Sequence, residues 1–571
     1  MFWKRALLIW LVLAALFLAA NRPAYKGHIQ DDEIDNLAWT RDAGWDGFAW
    51  GLLSPQLQRW NFRPAGHAVF KMLGTTAGLN IGWHLATVHA LHLLNVALVI
   101  VLLRKMPGFE LLETRRQLLA AASGALIFAF HAGVFDAHWK LMYVFDVLCT
   151  TFLLVSLILY VSGRWLLALI PFWLAYKSKE IAITLPAVLF TFEYLLGQRR
   201  WRRVVPFALI SVLFGVQAVM ANRGPETDYT LRFSLQSLAT CASFYAGKLA
   251  LVPWVGALAL AAAGLLARDR RVWFGVIAVP MFLGPLLFLP GRLFGAYLYL
   301  SLTGVAIATA FIAAKANPVW MGLFFLVWVP WNYRELIAQR RVALSHVPEV
   351  KAWYQAVERF ARGNPETTTV IVDGSPTPYH WWGVEGSFHW FLRVRPLQVL
   401  PVESADAKAA MAADRVATVT WDRATKRMFA HVRNELEDDA AYLEMDVRTP
   451  PWQLVDGWYP LEAGYRWTKP EARLRLRRPA SATAFEMRVN LGPAQLKEAG
   501  GAVVELLLNG TSLGTREYKT TGWHEARWPV PPGSTGRVEL TIRVLNPFQP
   551  AGGDPRTLGV AVVAAGFLPR E

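Results

Sequence analysis

The sequence GWHLATVHALHLLNVALVIVLL, at residues 82–103, contains no Asp, Glu, Lys or Arg and is followed directly by Arg104 and Lys105. A helix that crosses a bilayer needs about 20 consecutive, mostly apolar residues, and this stretch has that length. Lys and Arg accumulate at the cytoplasmic ends of membrane spans. The stretch therefore predicts a transmembrane helix whose C-terminal end faces the cytoplasm.

Similar apolar runs recur on both sides of this stretch, up to about residue 334. Short clusters of Lys and Arg lie in alternate loops, which places the N-terminus in the cytoplasm and the C-terminal domain outside. We interpret the first run as a retained signal anchor and residues 231–252 as an interfacial helix. The pattern indicates a multi-pass protein of the inner (plasma) membrane with a periplasmic or extracytoplasmic C-terminal domain. The eleven predicted spans are 6–20, 82–103, 118–134, 143–162, 163–176, 181–197, 204–221, 250–267, 272–290, 294–313 and 318–334.

Composition excludes several other classes of protein. Of the 571 residues, 54% are hydrophobic and only 18% are charged, which argues against a soluble enzyme and against disorder. Two cysteines, Cys149 and Cys241, are too few for a disulfide scaffold or a cysteine-rich zinc module. The net charge of +16 comes from loops between apolar runs rather than from one basic face, so we do not expect nucleic-acid binding.

The composition changes after about residue 345. Residues 346–362 and 404–413 have helical spacing, whereas 367–372 and 416–421 are typical of buried strands, so 345–450 is predicted as an extracytoplasmic α/β segment. From 451 to 571 the pattern is that of strands alone, with a type I′ hairpin turn at Asn509-Gly510. This predicts a β-sandwich. Residues 1–335 form the predicted membrane domain.

The segment Asp31-Asp32-Glu33-Ile34-Asp35 lies just outside the first span. Neighbouring carboxylates at a lipid–water boundary are unfavourable unless a cation or a shared proton relieves their repulsion. They suit a general base acting on a hydroxyl group, or a metal site. A solvated acidic loop or the first turn of a helix explains the same residues without a catalytic role.

Basic residues occur in outer loops where the charge rule does not favour them. Arg63 could clamp a phosphate through two hydrogen bonds, or extend to lipid headgroups. Lys177 and Lys179 indicate an anion such as a lipid phosphate, although Lys179 could instead pair with Glu180. Arg292 is a further phosphate candidate.

Other polar residues lie near the predicted ends of spans. Ionisable groups at such positions are functional candidates. His89 and His92 share one helical face, where hydrogen bonding between helices is a more common role than metal binding. The candidates are His84, His89 and His92, then Asp136, His138 and Asp146, and, at the level of an aromatic belt, Tyr297 and Tyr299.

The order of these motifs resembles the GT-C class of polyprenyl-phosphate-sugar-dependent glycosyltransferases, in particular the transmembrane TPR-type O-mannosyltransferases and their bacterial relatives. The likeness covers about residues 1–335, and no TPR array follows. The tail resembles the jelly-roll domains of carbohydrate-binding type attached to some bacterial envelope enzymes. The motifs are DDEIDN at 31–36, FRP at 62–64, GLNIGWHLATVHALHLLN at 78–95, His131 with Asp136 and Asp146, YKSKEIAITLP at 176–186 and GRLFGAYLYLSLTG at 291–304.

The resemblance implies an inverting transfer of a sugar from a polyprenyl phosphate to a hydroxyl acceptor on a glycan, a lipid or a protein. It also implies that the protein contacts membrane lipids. It implies Asp32 as the general base, supported by Asp31 and Glu33. It leaves metal dependence open: Mg²⁺ or Mn²⁺, if used, would be bound by Asp31 and Asp32. The remaining implied residues are Arg63, Lys177, Lys179 and Arg292 for the donor phosphate, and Glu180, His84, His92, Asp136, His138, Asp146 and Tyr299 in support.

Three alternatives remain at the level of sequence. An oligosaccharide ligase would share the membrane layout. A non-enzymatic transporter of lipid-linked glycans would need polar residues near the bilayer midplane, whereas here they concentrate at one face. A scaffold anchored in the membrane would need only one span. In the tail, Trp458, Trp467 and Trp523 could stack on sugar rings or form the core of the sandwich.

Overall fold

The computed structural model describes residues 2–56, 62–221, 227–250, 255–411, 416–433, 439–533, 535–550 and 554–568. The chain divides into two compact units, Met1–Val347 and Pro348–Glu571. The predicted change of character near residue 345 coincides with this division. Asn61, parts of the predicted segments 231–252, 250–267 and 404–413, and residues 412–415 lie outside the described residues.

The first unit is helical. Each of the eleven predicted spans contains a helix, although several of these helices are shorter than the ~20 residues that a straight span needs. The helices are α1 Phe2–Asn21, α2 Asp31–Asp42, α3 Trp45–Leu53, α4 Pro64–Thr76, α5 Ile81–Lys105, α6 Thr114–Phe130, α7 Phe135–Trp139, α8 Val144–Val161, α9 Leu169–Tyr176, α10 Leu185–Leu195, α11 Val205–Ala221, α12 Leu235–Ala250, α13 Val255–Ala267, α14 Arg270–Leu283, α15 Leu302–Lys315 and α16 Pro318–Ser345.

Five helical segments among the described residues are long and apolar enough to cross a membrane, and a sixth is counted if the bent pair α6–α7 is one span. The outer faces of α1 and α16 carry exposed apolar side chains, including Leu8 and Leu326. Such faces are stable against lipid and unfavourable against water. The predicted multi-pass helical membrane domain is therefore confirmed.

Small residues bring the central helices close together. A Cβ atom added to Gly275 of α14 would lie 2.6 Å from the carbonyl oxygen of Gly304 in α15. On the opposite side of α15, a Cβ added to Gly124 of α6 would lie 2.8 Å from the oxygen of Ala306. Lipid tails provide no hydrophobic drive between helices, so close backbone packing of this kind stabilises a membrane bundle.

The second unit begins with an α/β segment, as the sequence predicts. Strand β1 pairs in parallel with β2 and β3, and β4 adds antiparallel to β3, in the order β2-β1-β3-β4. Ser404 caps the predicted helix at 404–413, which the described residues contain from 405 to 410. The elements are α17 Val347–Gly363, β1 Thr369–Asp373, α18 Trp381–Phe391, β2 Gln398–Pro401, α19 Ala405–Ala410, β3 Val416–Asp422 and β4 Arg427–Arg433.

The remaining strands form one nine-stranded sheet in the order β10-β9-β12-β7-β13-β8-β11, with β5 beside β13 and β6 beside β7. The hairpin at Asn509-Gly510 has φ angles of 47° and 84°, as a type I′ turn requires. The two edge strands contact each other: Trp528 Nε1 of β11 donates to the Gly514 oxygen of β10 at 3.0 Å. The β-rich domain is confirmed, and the predicted β-sandwich takes the form of a single sheet curled around its core. Its elements are β5 Tyr442–Glu444, β6 Leu454–Glu462, β7 Tyr465–Arg478, β8 Ala484–Leu491, α20 Pro493–Ala499, β9 Ala502–Leu508, β10 Thr511–Tyr518, β11 Gly522–Pro529, β12 Gly536–Val544 and β13 Ala561–Leu568.

The three tryptophans of this domain occupy different environments. Trp458 packs against the core and donates from Nε1 to the Arg473 oxygen at 2.9 Å. Trp467 lies edge-on to Phe548. Trp523 is 68% exposed, so it is the one of the three whose surroundings suit stacking on a sugar.

Candidate active site

The acidic segment forms the first turn of α2. The side chain of Gln30 caps the helix, and Glu33 Oε2 accepts the backbone N–H of Gln30 at 2.7 Å in a capping box. Asp31 and Asp32 therefore lie at the positive end of the helix dipole, which stabilises negative charge. The helix-terminus interpretation of this segment explains its shape without excluding a chemical role.

Glu33 differs from its two neighbours because it is fully buried. Its Oε1 accepts the backbone N–H groups of Leu141 and Met142, which follow α7. Burial raises the pKa of Glu33 to about 7, against the lowering effect of these hydrogen bonds. The contacts join α2 to the segment Leu141–Tyr143, so Glu33 positions the helix that carries Asp32. Direct participation of Glu33 in chemistry stays a prediction.

Asp32 is half-buried and interacts electrostatically with the Arg292 guanidinium and with the Tyr143 hydroxyl. Asn36, one turn further along α2, donates from Nδ2 to the Asp32 backbone oxygen at 2.6 Å. Asn36 Oδ1 in turn lies 2.9 Å from His67 Nε2. The start of α2 therefore lies near groups from three distant parts of the chain.

Arg63 and Glu180 form a bidentate ion pair. Arg63 Nε lies 2.9 Å from Oε1 and Nη2 lies 3.0 Å from Oε2 of Glu180. The guanidinium also covers the ring of Phe145 at 5.3 Å. Burial alone would raise the pKa of Glu180, but Arg63 holds it below its ordinary value.

Lys179 pairs with Asp146, at the start of α8, rather than with its neighbour Glu180. Its Nζ lies 2.6 and 2.7 Å from the two Asp146 oxygens and 4.3 Å from the centre of the Tyr297 ring. The Asp146 charge also acts on Arg63, and the Lys179 charge acts on Glu180. The charge quartet, defined as Arg63, Asp146, Lys179 and Glu180, is thus a compensated cluster.

Arg292, unlike Arg63 and Lys179, has no ion pair among the described residues. Its guanidinium lies over the rings of Tyr229, at 4.4 Å, and Phe294, at 4.9 Å, and contacts the Tyr297 hydroxyl. Its Nε is buried without a hydrogen-bond partner in the described part of the chain. Asp32 acts on Arg292 electrostatically, and Arg292 contacts Tyr297, whose ring also faces Lys179 of the charge quartet.

Lys177 has a different environment from Lys179. It is buried, donates from Nζ to the backbone oxygens of Ser54 and Gln56, and lies against Trp173 and Phe214. Burial lowers the pKa of Lys177 to about 8. These contacts hold the C-terminal end of α3 in place. A role of Lys177 in phosphate binding stays a prediction.

The predicted supporting residues lie within the bundle. His92 Nδ1 is 2.8 Å from the Tyr299 hydroxyl, and His84 Nε2 is 2.8 Å from the Gly78 oxygen. The His138 ring lies 4.2 Å from that of His92. Asp136 pairs with Lys140 at 3.5 Å. The contact of His92 is the bonding between distant segments that its spacing favours, whereas His84 bonds the turn before its own helix and His138 contacts His92 through its ring.

No group of three or more His, Cys, Asp or Glu side chains among the described residues is arranged to hold a metal ion. Asp31 and Asp32 together supply at most two protein ligands. A hard cation such as Mg²⁺ commonly takes one or two carboxylates together with substrate phosphates and water. Asp31 and Asp32 fit that ligand type, and metal dependence stays an open prediction.

Sequence reasoning missed one residue that the structure places centrally. His67 accepts the Arg63 backbone N–H through Nδ1 at 2.9 Å, and its Nε2 meets Asn36. Burial lowers the pKa of His67 to about 3, so its ring is neutral and can bridge α2 to the Arg63 turn. The spacing of Arg63, Pro64 and His67, with the proline opening α4, was the available signal.

No protein-family model matches the sequence, and a comparison with curated proteins finds no match. Among solved structures, the chain is similar to ArnT from Cupriavidus metallidurans bound to undecaprenyl phosphate, with 15% identity, a TM-score of 0.45, and coverage of 76% of this chain and 97% of that one. It is also similar to the arabinofuranosyltransferase AftD from Mycobacteria, with 12% identity and a TM-score of 0.41. That comparison covers 97% of this chain, which spans 60% of the AftD chain.

Proposed function

We propose that this protein is a GT-C-type glycosyltransferase that moves a sugar from a polyprenyl-phosphate donor to a hydroxyl acceptor at the extracytoplasmic face of the membrane. The observation that carries the proposal is the environment of Arg292: its guanidinium has no ion pair and its buried Nε has no hydrogen-bond partner among the described residues, and the Asp32 charge acts on it. One group suits the leaving phosphate and the other suits the attacking hydroxyl.

The chemistry needs one displacement. The acceptor oxygen attacks the anomeric carbon, its proton passes to Asp32, and the bond between that carbon and the phosphate oxygen breaks with its electron pair. The phosphate leaves with one further negative charge, which Arg292 stabilises. A single displacement of this kind inverts the anomeric configuration.

The charge quartet supports this assignment. Arg63 and Lys179 are already paired with Glu180 and Asp146, so the four groups add little net charge. An arriving phosphate would therefore pair most favourably with Arg292, while the quartet fixes the loops around it. Arg63 and Lys179 attract the phosphate further only to the extent that it displaces Glu180 and Asp146 as their partners.

The test uses the full-length protein in detergent, with a panel of polyprenyl-phosphate sugars as donors and membrane extract as the source of acceptor. Asp32→Asn should lower transfer by at least about 100-fold, because removal of a general base typically costs 10²–10⁴-fold. Asp46→Asn, at an exposed position in the first turn of α3, is the matched control and should leave transfer unchanged.

Binding separates the alternatives. Asp32→Asn should still bind undecaprenyl phosphate, since the variant keeps Arg292. Transfer retained by Asp32→Asn would remove the base assignment. Donor binding without transfer by the unaltered protein, with any acceptor fraction, would favour a transporter of lipid-linked glycans over a transferase.

A further inference from the structure

The end of the helical unit that the positive-inside rule assigns to the cytoplasm carries an excess of positive charge. Residues 4–5, 104–116, 268–271 and 315 together hold ten basic and three acidic side chains. Six of the basic side chains are exposed and have no ion pair among the described residues. The basic cluster is defined as these six residues, Lys4, Arg5, Lys105, Arg115, Arg268 and Arg270.

Aromatic contacts join the segments that carry the basic cluster. The ring of Phe109, between α5 and α6, lies 6.0 Å from the ring of Phe2 in α1 and 6.1 Å from the ring of Phe311 in α15. The Arg104 guanidinium lies 5.8 Å from the centre of the Phe2 ring, and the Arg271 guanidinium lies 4.5 Å from that of Phe311. The beginning of α1, the segment between α5 and α6, and the beginning of α14 therefore surround one aromatic centre.

Two of the three acidic side chains of these segments already pair with other cations. Asp269 lies 2.8 Å from Arg271 and 3.1 Å from Lys315, and Glu110 lies 4.0 Å from Arg104. The basic cluster does not share these carboxylates. Like charges that the fold holds together repel each other, so this end of the bundle favours bound anions.

The surroundings of the basic cluster indicate that these anions are lipid headgroups. Lys4, Leu8 and Leu11 lie on one face of α1, and the two leucines are 61% and 50% exposed. Trp3 and Leu111 are also exposed, although each is close in sequence to members of the cluster. Exposed apolar side chains beside cations are unfavourable in water and suit the boundary between headgroups and acyl chains. A soluble anion would neutralise the cations but would leave these apolar side chains in water.

We infer that the basic cluster is a binding site for anionic phospholipids, in which Lys and Arg side chains hold the headgroup phosphate and an acyl chain packs along Leu8 and Leu11 of α1. The combination of exposed, unpaired cations with exposed apolar side chains on the same segments carries the inference. It does not depend on the sugar-transfer proposal.

The experiment measures binding of phosphatidylglycerol and phosphatidylcholine to the full-length protein in detergent, by native mass spectrometry. The unaltered protein should prefer phosphatidylglycerol. Raising the ionic strength from about 0.1 M to about 1 M shortens the screening length from ~10 Å to ~3 Å and should remove most of this preference. This comparison needs no variant, and equal affinity for the two lipids at low salt would overturn the inference.

Two triple variants with the same loss of charge then locate the site. Lys105→Gln, Arg115→Gln and Arg270→Gln together should raise the dissociation constant for phosphatidylglycerol about 100-fold, because each Lys or Arg near anionic lipid contributes about fivefold in affinity. The matched control combines substitutions at three exposed basic positions outside the cluster, on the same predicted side of the membrane: Arg164→Gln, Arg200→Gln and Arg202→Gln. The control should change the constant less than about fivefold.

Two results with the variants and with a soluble probe would contradict the inference. Equal weakening by the two triple variants would show general attraction of lipid to every basic loop instead of a site at the basic cluster. Affinity for glycerol 3-phosphate equal to that for phosphatidylglycerol would show that the cluster binds a soluble anion and that the apolar face of α1 contributes nothing.

Discussion

Replacement of Arg292 by Ala should weaken the binding of undecaprenyl phosphate because it removes a cation that has no carboxylate partner among the described residues. A unit charge 4 Å from a phosphate oxygen contributes about 4 kcal/mol at an effective dielectric constant of about 20. Arg292 is half-buried, so water screens part of this, and about 2–3 kcal/mol remains. The dissociation constant should therefore rise about 30- to 150-fold.

The assay is a titration of purified full-length protein in detergent, by calorimetry or thermophoresis, with undecaprenyl phosphate and with undecaprenol, which has the same chain and no phosphate. Arg292→Ala should lose most of the preference for the phosphate and bind the alcohol as before. Arg292→Lys should be intermediate, because Lys keeps the charge but not the two-pronged geometry. Arg22→Ala, at an exposed position after α1, is the control. Equal preference for the phosphate in Arg292→Ala and Arg22→Ala would place the phosphate elsewhere and refute the assignment.

Three further predictions concern stability, each measured as melting temperature in detergent. Burial raises the pKa of Glu33 from 4.5 to about 7, so its stabilising contribution is complete below pH 4.5 and is lost as the pH rises through 7. Glu33→Gln should therefore melt at a lower temperature than the unaltered protein at pH 5, and this difference in melting temperature should shrink by pH 8. A difference in melting temperature that stays constant from pH 5 to pH 8 would show that Glu33 does not titrate in that range. Gly275→Val should cost about 2–3 kcal/mol or more because its side chain would collide with the Gly304 oxygen, whereas Gly322→Ala, with no atom within 4 Å of the added Cβ, should be neutral. Asp146→Asn should cost about 2–4 kcal/mol by leaving Lys179 without its carboxylate, and Lys179→Met added to it should recover most of the loss; no recovery would mean that the two residues are not coupled.

Much of the fold follows from patterns that the sequence displays directly. The apolar runs around 82–103 predict the membrane domain because lipid requires helices with satisfied backbones. The alternation around Asn509-Gly510 predicts a hairpin because both residues must adopt positive φ. The curl that brings β10 to β11 was not predictable, since it depends on twist accumulated over nine strands.

The candidate site was predictable in its residue types and not in its pairings. The sequence places Lys179 beside Glu180, and a local ion pair is the simplest expectation. The chain instead directs the two side chains to Asp146 and Arg63, because the backbone changes at this point from an extended conformation at Lys179 to a 3₁₀ turn that begins at Glu180. In the same way, nothing in the run Asp31-Asp32-Glu33 distinguishes Glu33, whose burial depends on a segment more than one hundred residues away.

The ion pair between Arg63 and Glu180 has a consequence for biosynthesis. The two residues are separated by 117 positions, and at about 5–20 residues per second the ribosome needs about 6 to 23 s to make that length. Throughout this interval Arg63 has been made while its partner has not. The nascent chain therefore depends on lipid headgroups or on the insertion machinery to accommodate an unpaired guanidinium. In a variant without the Glu180 carboxylate, Arg63 would not gain this partner at any stage.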